Sequence, residues 1–194
     1  MEISEIELIV KAQRGDESAF EQLVYNYDRA VLSIAMRFVR DSDEAKDIYQ
    51  EVFIRVYRSL KNFEFRSEFS TWIFRITTNV CLTHQSKKKD QIMVSLQEDL
   101  DEDDPDYKKF EIVSEEKSPE EETYANDLRF LIGDAVESLS AKQRITFVLK
   151  HYEGYKIREI AEMLNCKEGT VKKYLFDAVN NLRKKLKPLI ALQS

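Results

Sequence analysis

Glycine and proline are scarce along this chain, with four and three residues respectively among 194. Sandwiches and barrels need a turn about every 8–12 residues, and turns favour these two residues. The composition therefore argues against an all-β fold. Apolar residues instead recur at steps of three and four, for example Phe20, Leu23, Val24 and Tyr27. Because this spacing is typical of amphipathic helices, we expect an all-α protein.

Capping and turn residues divide the chain into helices. Helix starts are predicted at Ser4, at Asp16, within the run Asp41-Ser42-Asp43 and at Ser140, and helix stops at Gly15 and Gly154. Residues 61–70 break the period and are predicted to form a loop, and the next helix is expected to end in the basic run 87–89. Two closely spaced helices, over residues 157–164 and about 167–186, complete the prediction.

Charge is distributed unevenly along the chain, although the formal net charge is −6. Residues 97–123 contain 13 acidic and 3 basic side chains, whereas the rest of the chain has 27 basic and 23 acidic ones. Basic residues concentrate in 55–89, with 8 against 2 acidic, and in 140–194, with 12 against 5. Two basic regions on either side of an acidic one are consistent with nucleic-acid binding.

The acidic stretch is predicted to be a flexible linker over residues 91–123, between helical domains 1–90 and 124–194. It lacks a sustained period, contains two of the three prolines and has little apolar surface to offset the entropy of ordering. Its carboxylates are interpreted as mainly solvated. A metal site is not expected, because the stretch lacks the glycine and terminal glutamate of a calcium-binding loop.

Several function classes lack their characteristic residues. No apolar run approaches the ~20 residues that cross a bilayer, and the N-terminus lacks a signal-peptide pattern, so we expect a cytoplasmic protein without direct membrane insertion. Cys81 and Cys166 have no metal-ligand spacing, and His84 and His151 have no catalytic partners nearby. The chain is therefore not expected to be an enzyme, and no catalytic residue, cofactor, metal or small-molecule substrate is predicted.

The C-terminal helices have the layout of a DNA-binding helix-turn-helix. Asn165 tolerates a left-handed turn after the first helix, and Ala161 is small where the two helices cross. Gly169 and Thr170 fall in the first turn of the second helix, where backbone N–H groups and a hydroxyl can hold a phosphate. The apolar stripe is interpreted as core, with Ile157, Ile160 and Leu164 against Val171, Leu175, Ala178 and Leu182. The alternative is a helical hairpin whose basic residues are solvated.

A polar strip runs along one predicted N-terminal helix. Its members fall on neighbouring helical positions beside an apolar stripe; they are Asp47, Gln50, Glu51 and Arg55, and the stripe is Ile48, Val52 and Val56. Such a strip suits docking onto a partner helix through charge and hydrogen bonds, and a solvated face is the alternative.

The loop over residues 61–70 is aromatic and basic, and polar residues follow it at helical spacing. These are the groups needed to hold a base that has left the duplex. Within the loop, Phe65 and Phe69 are interpreted as core residues in preference to base-stacking ones.

Both halves of the chain resemble one family. Residues 138–186, with the runs Glu159-Ile160-Ala161 and Gly169-Thr170-Val171, are similar to the fourth conserved domain of bacterial RNA polymerase sigma factors of the extracytoplasmic-function (ECF) type, in the sigma-70 family. The N-terminal half resembles the second conserved domain of the same family. The residues that carry this resemblance are Asp47, Gln50, Glu51, Phe53, Trp72, Arg75 and Asn79. The resemblance covers about residues 6–90 and 124–190, in the order that the family has.

The resemblance implies a dissociable subunit that binds core RNA polymerase (beta and beta-prime subunits) and promoter DNA and is held by an anti-sigma factor. Core-polymerase binding is implied for Asp47, Gln50, Glu51, Phe53 and Arg55. Minus-ten DNA binding is implied for Phe63, Arg66, Ser67, Thr71, Arg75, Asn79, Thr83 and Lys87. Minus-thirty-five DNA binding is implied for Lys156, Gly169, Thr170, Lys172, Lys173, Phe176, Asp177, Asn180 and Lys184.

The predicted recognition helix departs from the family pattern, because lysines and Asp177 stand where several arginines are usual. Lysine lacks the bidentate fork of arginine, and Asp177 repels phosphate, so weaker or differently specified minus-thirty-five binding is expected. Two alternatives stay open: a DNA-binding regulator that does not join polymerase, and a sigma-like protein that sequesters a partner without initiating transcription. The acidic linker is further expected to mimic nucleic acid in a basic channel of the polymerase.

Overall fold

A computed structural model describes residues 3–98 and 131–191, with side chains for 3–88 and 131–187, and all regular structure within these ranges is helical. The N-terminal helices are α1 (Glu5–Gln13), α2 (Glu17–Phe38), α3 (Ser42–Ser59) and α4 (Phe69–Glu98), with a 3-10 turn at Leu60–Asn62. We call the helical residues 131–137 α5, and α6 (Ala141–His151), α7 (Ile157–Met163) and α8 (Glu168–Ala191) follow. The predicted all-α class is confirmed.

The predicted caps form the expected hydrogen bonds. The Ser4 hydroxyl accepts from the Glu7 N–H, while the Ser4 N–H donates to the Glu7 carboxylate over 3.0 Å. Asp41 accepts from the N–H groups of Asp43 and Glu44 over 2.8 and 2.9 Å. Asp16 and Ser140 cap α2 and α6 in the same way. The starts of four helices are therefore encoded locally by one side chain each.

Two helices run further than the sequence predicts. α4 continues past the expected stop at residues 87–89 to Glu98, because neither glycine nor proline interrupts residues 89–98 and a basic run alone does not end a helix. α8 continues to Ala191 instead of ending near residue 186. The predicted linker lies outside the described residues from residue 99 to residue 123, and so does its predicted flexibility. The predicted domain boundaries stay predictions.

One apolar core extends through both halves of the molecule. Its buried members include Leu23, Ile34, Phe38, Ile48, Val52, Ile73 and Phe74 from the N-terminal helices, and Ile145, Leu149, Ile160, Met163 and Val171 from the C-terminal ones. A second, smaller cluster joins Ala135, Val136 and Leu139 to Ala178 and Leu182 of α8. The C-terminal helices are thus packed against the N-terminal ones.

The apolar stripe of α8 packs differently from the prediction. Val171 lies with Ile160 in the large core, but Ala178 and Leu182 pack on residues of and just after α5 instead of α7. The reason is length: at about 1.5 Å per residue, the 7 residues of α7 cannot cover the 24 residues of α8.

Candidate nucleic-acid and partner-binding surfaces

One face of α8 carries most of the residues expected to contact duplex DNA. Lys172, Lys173 and Lys184 are exposed, and Phe176 is 69% exposed. Val171 is fully buried and fixes the helix on the core. Three further side chains were predicted to contact this DNA. Lys156 lies just before α7 and is exposed, whereas Asp177 and Asn180 lie on α8 and are half-buried. This face can present several ammonium groups to a phosphate backbone.

The turn between α7 and α8 has the predicted geometry. Asn165 adopts the left-handed conformation with φ of 49°, and the Cys166 N–H donates to the Ala161 carbonyl over 2.9 Å. Gly169 and Thr170 lie in the first turn of α8, and a Cβ added to Gly169 would meet open space. A phosphate can therefore approach the start of α8 closely.

α3 presents a polar strip along one face. Asp47 and Gln50 are exposed, and Glu51 and Arg55 form an ion pair in which Oε1 and Nε are 2.6 Å apart. Members of the strip follow one another at three or four residues, so they share a face of the helix. The strip offers two carboxylates and an amide to a partner.

Phe53 does not lie on this strip. Its side chain is 8% exposed, and its ring packs edge-on against Tyr49 with 4.9 Å between centroids. The exposed apolar side chains of α3 are Ile54 and Tyr57, at 43% and 59%. Sequence reasoning missed both, although Ile54 follows Asp47 by two helical turns and therefore falls on the same face.

The loop before α4 exposes a different ring from the one expected. Phe63 is only 5% exposed and packs against Phe69 and Trp72, with centroids 5.4 and 5.0 Å away. Phe69 is buried as expected. The interpretation of Phe65 as core is wrong: it is 44% exposed, with φ of 57°, and its ring lies 5.0 Å from that of Phe63. The left-handed backbone at Phe65 turns the chain outward before α4 begins.

The base of this loop is tied to α1. The Gln13 amide donates to the carbonyls of Leu60 and Phe63 over 3.0 and 2.8 Å. Arg66 beyond it is exposed and Ser67 is half-buried. The loop therefore combines a fixed base with an exposed tip.

The predicted polar row on α4 is exposed in part. Arg75, Asn79 and Lys87 are exposed and Thr83 is half-buried, whereas Thr71 is only 8% exposed. The steps of four residues place the row on one side of the helix. The row leads away from the loop and carries two cationic groups.

The last turn of α7 packs beside this row. The Arg75 Nε–H donates to the Glu162 carbonyl over 3.1 Å, and the Thr78 hydroxyl lies 3.3 Å from the Met163 carbonyl. Both acceptors are main-chain oxygens at the C-terminus of α7, which carries a partial negative charge.

Arg144 of α6 is a buried cation between the two halves. It is 4% exposed and donates to the carbonyls of Phe38, over 2.8 Å, and of Glu137 and Leu139. Burial lowers the pKa of Arg144, and the charge of Glu137 opposes that shift. Sequence reasoning missed this residue, and the available signal was an arginine four residues before Val148 in the apolar stripe of α6.

Ion pairs surround this junction. Arg37 Nε lies 3.7 Å from Glu153 Oε1, and its guanidinium lies 4.2 Å from the centre of the Tyr152 ring. Arg40 bonds to Asp134. In both pairs the N-terminal half supplies the arginine, Arg37 from α2 and Arg40 from the connection between α2 and α3, and the C-terminal half supplies the carboxylate.

Among residues 3–98 and 131–191, no helix is long and apolar enough to cross a membrane. The same described residues contain no group of three side chains suited to hold a metal ion. Cys81 is fully buried, which raises the pKa of its thiol to about 12 and makes it a poor nucleophile.

Two family models match the chain in succession. Residues 23–91 match Sigma-70 region 2, and residues 129–182 match Sigma-70, region 4. The RNA polymerase sigma-H factor of Pseudomonas aeruginosa is 32% identical over 188 residues, which cover 95% of this chain and 94% of that protein. The ECF RNA polymerase sigma-E factor of Escherichia coli K12 is 32% identical over 189 residues, 94% of each chain.

Solved structures share the fold. The sigma factor RpoE of Bartonella quintana, in complex with the anti-sigma factor NepR, superposes with a TM-score of 0.63 at 22% identity, over 87% of this chain and 96% of that one. CnrH, in complex with the cytosolic domain of CnrY, superposes with a TM-score of 0.62 at 20% identity, over 98% of both chains.

Proposed function

Because the chain belongs to the ECF group of the sigma-70 family of RNA polymerase sigma factors, we propose that it binds core RNA polymerase and directs promoter recognition, promoter opening and transcription initiation. One observation carries this function: relatives with that role align along nearly the whole chain, with region 2 and region 4 in order. Sigma factors are non-enzymatic initiation factors, so binding energy rather than covalent chemistry opens the promoter.

The loop and α4 bind the non-template strand of the minus-ten element in this proposal. An unpaired base stacks on Phe65, the exposed ring, while Phe63 supports that ring from below. Arg66 and Ser67 flank the base. The row on α4, from Thr71 through Arg75, Asn79 and Thr83 to Lys87, contacts the adjacent bases and phosphates. Stacking and pocket contacts offset the few kcal/mol that base flipping costs.

α8 enters the major groove of the minus-thirty-five element. Lys172, Lys173 and Lys184 neutralise phosphates, and the start of α8 at Gly169 and Thr170 holds another. The same surface includes Lys156, Phe176, Asp177 and Asn180. Because Asp177 accepts only from a cytosine amino group or from a neighbouring lysine, we propose that this site is weaker than, or specified differently from, an arginine-rich one.

The strip on α3 docks on the clamp helices of core polymerase. Asp47, Gln50, Glu51 and Arg55 supply charge and hydrogen bonds, and the exposed side chains of Ile54 and Tyr57 add apolar contact area. Phe53 contributes indirectly, since its ring packs on Tyr49 and helps to fix the face of α3 that meets the partner.

The remaining assignments rest on the family and, for the acidic segment, on its charge. Domains 1–90 and 124–194 carry the two DNA surfaces, and the acidic residues of the segment between them occupy a basic channel of the polymerase. The solved complex of RpoE with the anti-sigma factor NepR supports an anti-sigma partner for this chain, which acts in the cytoplasm with the polymerase.

The test is in vitro transcription of genomic DNA by core polymerase with the purified chain, followed by mapping of start sites. We expect discrete new start sites with the natural chain, and their loss with Asp47→Ala/Gln50→Ala. The matched control is Glu21→Ala/Gln22→Ala, because Glu21 and Gln22 are likewise an exposed carboxylate and an exposed amide but belong to α2 instead of α3. The proposal fails if no start sites appear and the chain does not co-migrate with core polymerase on a sizing column; this outcome would favour the regulator or sequestering alternatives.

A further inference from the structure

We propose that Gln13, the last residue of α1, is a positioning residue for promoter opening, because it holds the loop that captures the unpaired base of the minus-ten element. This base-capturing loop, residues 63–68, lies between the 3-10 turn and α4. The inference rests on the proposed function of the loop and adds a helix that is not itself proposed to contact DNA. Residues 23–91 match Sigma-70 region 2, so α1 precedes the matched part of the chain.

The Gln13 amide joins the two ends of the turn at which the loop begins. Its Nε2 group donates to the Leu60 carbonyl over 3.0 Å and to the Phe63 carbonyl over 2.8 Å. The Phe63 N–H also donates to the Leu60 carbonyl, over 3.0 Å, and closes the 3-10 turn. An amide nitrogen carries two hydrogens, so one side chain can serve both carbonyls. The turn is therefore fixed by a residue that lies 47 and 50 positions earlier in the sequence than the two acceptors.

The residue whose carbonyl accepts from Gln13 also supports the exposed ring of the loop. The Phe63 ring is buried, and the Phe65 ring, with its centroid 5.0 Å away, is 44% exposed. Phe65 has φ of 57°, a conformation that bulky side chains rarely adopt and that persists only where the surrounding structure imposes it. Fixing the main chain at Phe63 therefore fixes both the ring beneath Phe65 and the backbone that leads to it.

α1 contacts both ends of the loop. Its apolar side is buried in the core, which holds the helix in place. Gln13 binds the start of the loop directly. Near the other end of α1, Glu5 Oε1 accepts from the Tyr27 hydroxyl over 2.5 Å, and the Tyr27 ring packs edge-on against Phe69 with 5.5 Å between centroids. Because Phe69 is the first residue of α4, this second contact supports the point at which the loop ends.

An ordered loop matters for one step of initiation and not for the step before it. In the closed complex the minus-ten element is still duplex, so a loop that binds an unpaired base contributes nothing to binding. In the opening step the base leaves the stack and the loop must be ready to receive it. If only the ordered fraction of the loop captures the base, a fall of that fraction from nearly all to about a tenth slows opening about tenfold.

Two variants remove the hydrogen bonds and keep the size of the side chain. Gln13→Met has no N–H group, and Gln13→Glu presents a carboxylate that cannot donate. The matched control is Gln22→Met, which removes an exposed amide of α2. Circular dichroism and co-migration with core polymerase check folding and assembly. Gln13→Asn, whose amide is one methylene too short to reach both carbonyls, replaces a variant that does not fold.

The test uses core polymerase with the full chain and a duplex promoter fragment that carries one of the start sites mapped for the natural chain. Lag times measured at several polymerase concentrations separate the binding constant of the closed complex from the rate constant of opening. We expect Gln13→Met and Gln13→Glu to slow opening about tenfold and to leave the binding constant unchanged, whereas Gln22→Met should change neither.

Two further readouts distinguish positioning from a general effect on the fold. Trp72 is the only tryptophan, and its ring lies 5.0 Å from that of Phe63, so acrylamide quenching of its fluorescence in the free chain should rise in both Gln13 variants. Single-base changes along the minus-ten element of the same fragment report discrimination between bases. The Gln13 variants should lose discrimination at one position, that of the captured base, and keep it at the positions contacted by α4.

Opening at the natural rate in the two Gln13 variants, or unchanged quenching of Trp72, would overturn the proposal. So would a fall in the closed-complex binding constant as large as the fall in the opening rate, or a loss of discrimination at every position of the element. Each of these results leaves a natural chain that initiates transcription, so only the role of Gln13 is lost. Failure of the proposed function differs, since the natural chain then yields no start site and the role of Gln13 falls with it.

Discussion

Arg144 shows how much one side chain contributes at the junction of the two halves. Three main-chain carbonyls accept from it in a site that is almost closed to water. Removing the guanidinium leaves these acceptors without their donor, and each unsatisfied buried group costs about 1–3 kcal/mol.

We expect Arg144→Met to lower the free energy of unfolding by about 3 kcal/mol, measured by urea denaturation. Methionine keeps much of the packing volume, so the loss reports the polar contacts. The control is Arg158→Met on α7, where the side chain is 82% exposed and its ion pair with Glu162 contributes little. A loss below about 0.5 kcal/mol for Arg144→Met would show that water replaces the guanidinium.

The conformation of a single residue could be predicted where local backbone chemistry determines it. Asn165 was expected in a left-handed turn because few residues tolerate that conformation, and it has φ of 49°. Phe63 and Phe65 were not predictable in the same way, since several rings stand close together in the sequence. Which ring is buried depends on Trp72 and Phe69 from the next helix and on the anchoring of the loop by α1.

At the scale of elements, α3 depends on its cap. The Asp41 carboxylate accepts from two backbone N–H groups, which hold the pKa of Asp41 below its usual range. A carboxyl whose pKa is lowered by folding stabilises the protein above its unfolded pKa and loses that contribution as the pH falls through the folded pKa.

We expect Asp41→Ala to lower the unfolding free energy by about 1 kcal/mol at pH 7. The difference from the natural chain should shrink as the pH falls below about 4, because protonation weakens the natural cap as well. Asp43→Ala serves as the control, since the Asp43 side chain is 85% exposed and pairs only with a neighbour on its own helix. A difference between Asp41→Ala and the natural chain that is the same at pH 3 and pH 7 would contradict the charge-dependent cap.

Helix starts were predictable and some helix ends were not. A start depends on one side chain that accepts from the first turn, and such residues are visible at Ser4, Asp16, Asp41 and Ser140. The ends of α4 and α8 depend on whether anything interrupts a helix that is already formed, and the lysines at 87–89 do not.

At the scale of the whole molecule, the shared core predicts a single unfolding transition. Trp72 is the only tryptophan, so its fluorescence reports on the N-terminal half, whereas circular dichroism at helical wavelengths reports on both halves. In the natural chain the two signals should change at the same urea concentration, because two-state unfolding gives coincident transitions.

In the variant Arg37→Glu/Arg40→Glu the two signals should separate, since like charges then face each other across the junction and weaken the coupling between the two halves. The control is Arg14→Glu/Arg29→Glu, which makes the same change in net charge at two exposed arginines that take no part in these ion pairs. Separate transitions in the natural chain would show that the halves are stable without each other and that their contact contributes little.

The contact between the two halves of the molecule could not be predicted from the sequence. The helices, the charged regions and the order of the two units follow from local patterns and from the family resemblance. The contact between α4 and α7 joins residues about 85 positions apart, as between Thr78 and Met163, and no periodicity or motif encodes it.

Arg144, Arg75 and Thr78 all donate to main-chain oxygens, those of Phe38, Glu162 and Met163. Every amino acid carries such an oxygen, so positions 38, 162 and 163 can change identity without losing their half of the bond. Among diverging descendants of this chain, these three donors would stay fixed while their acceptors drift, and searches for residue pairs that change together would overlook these three contacts.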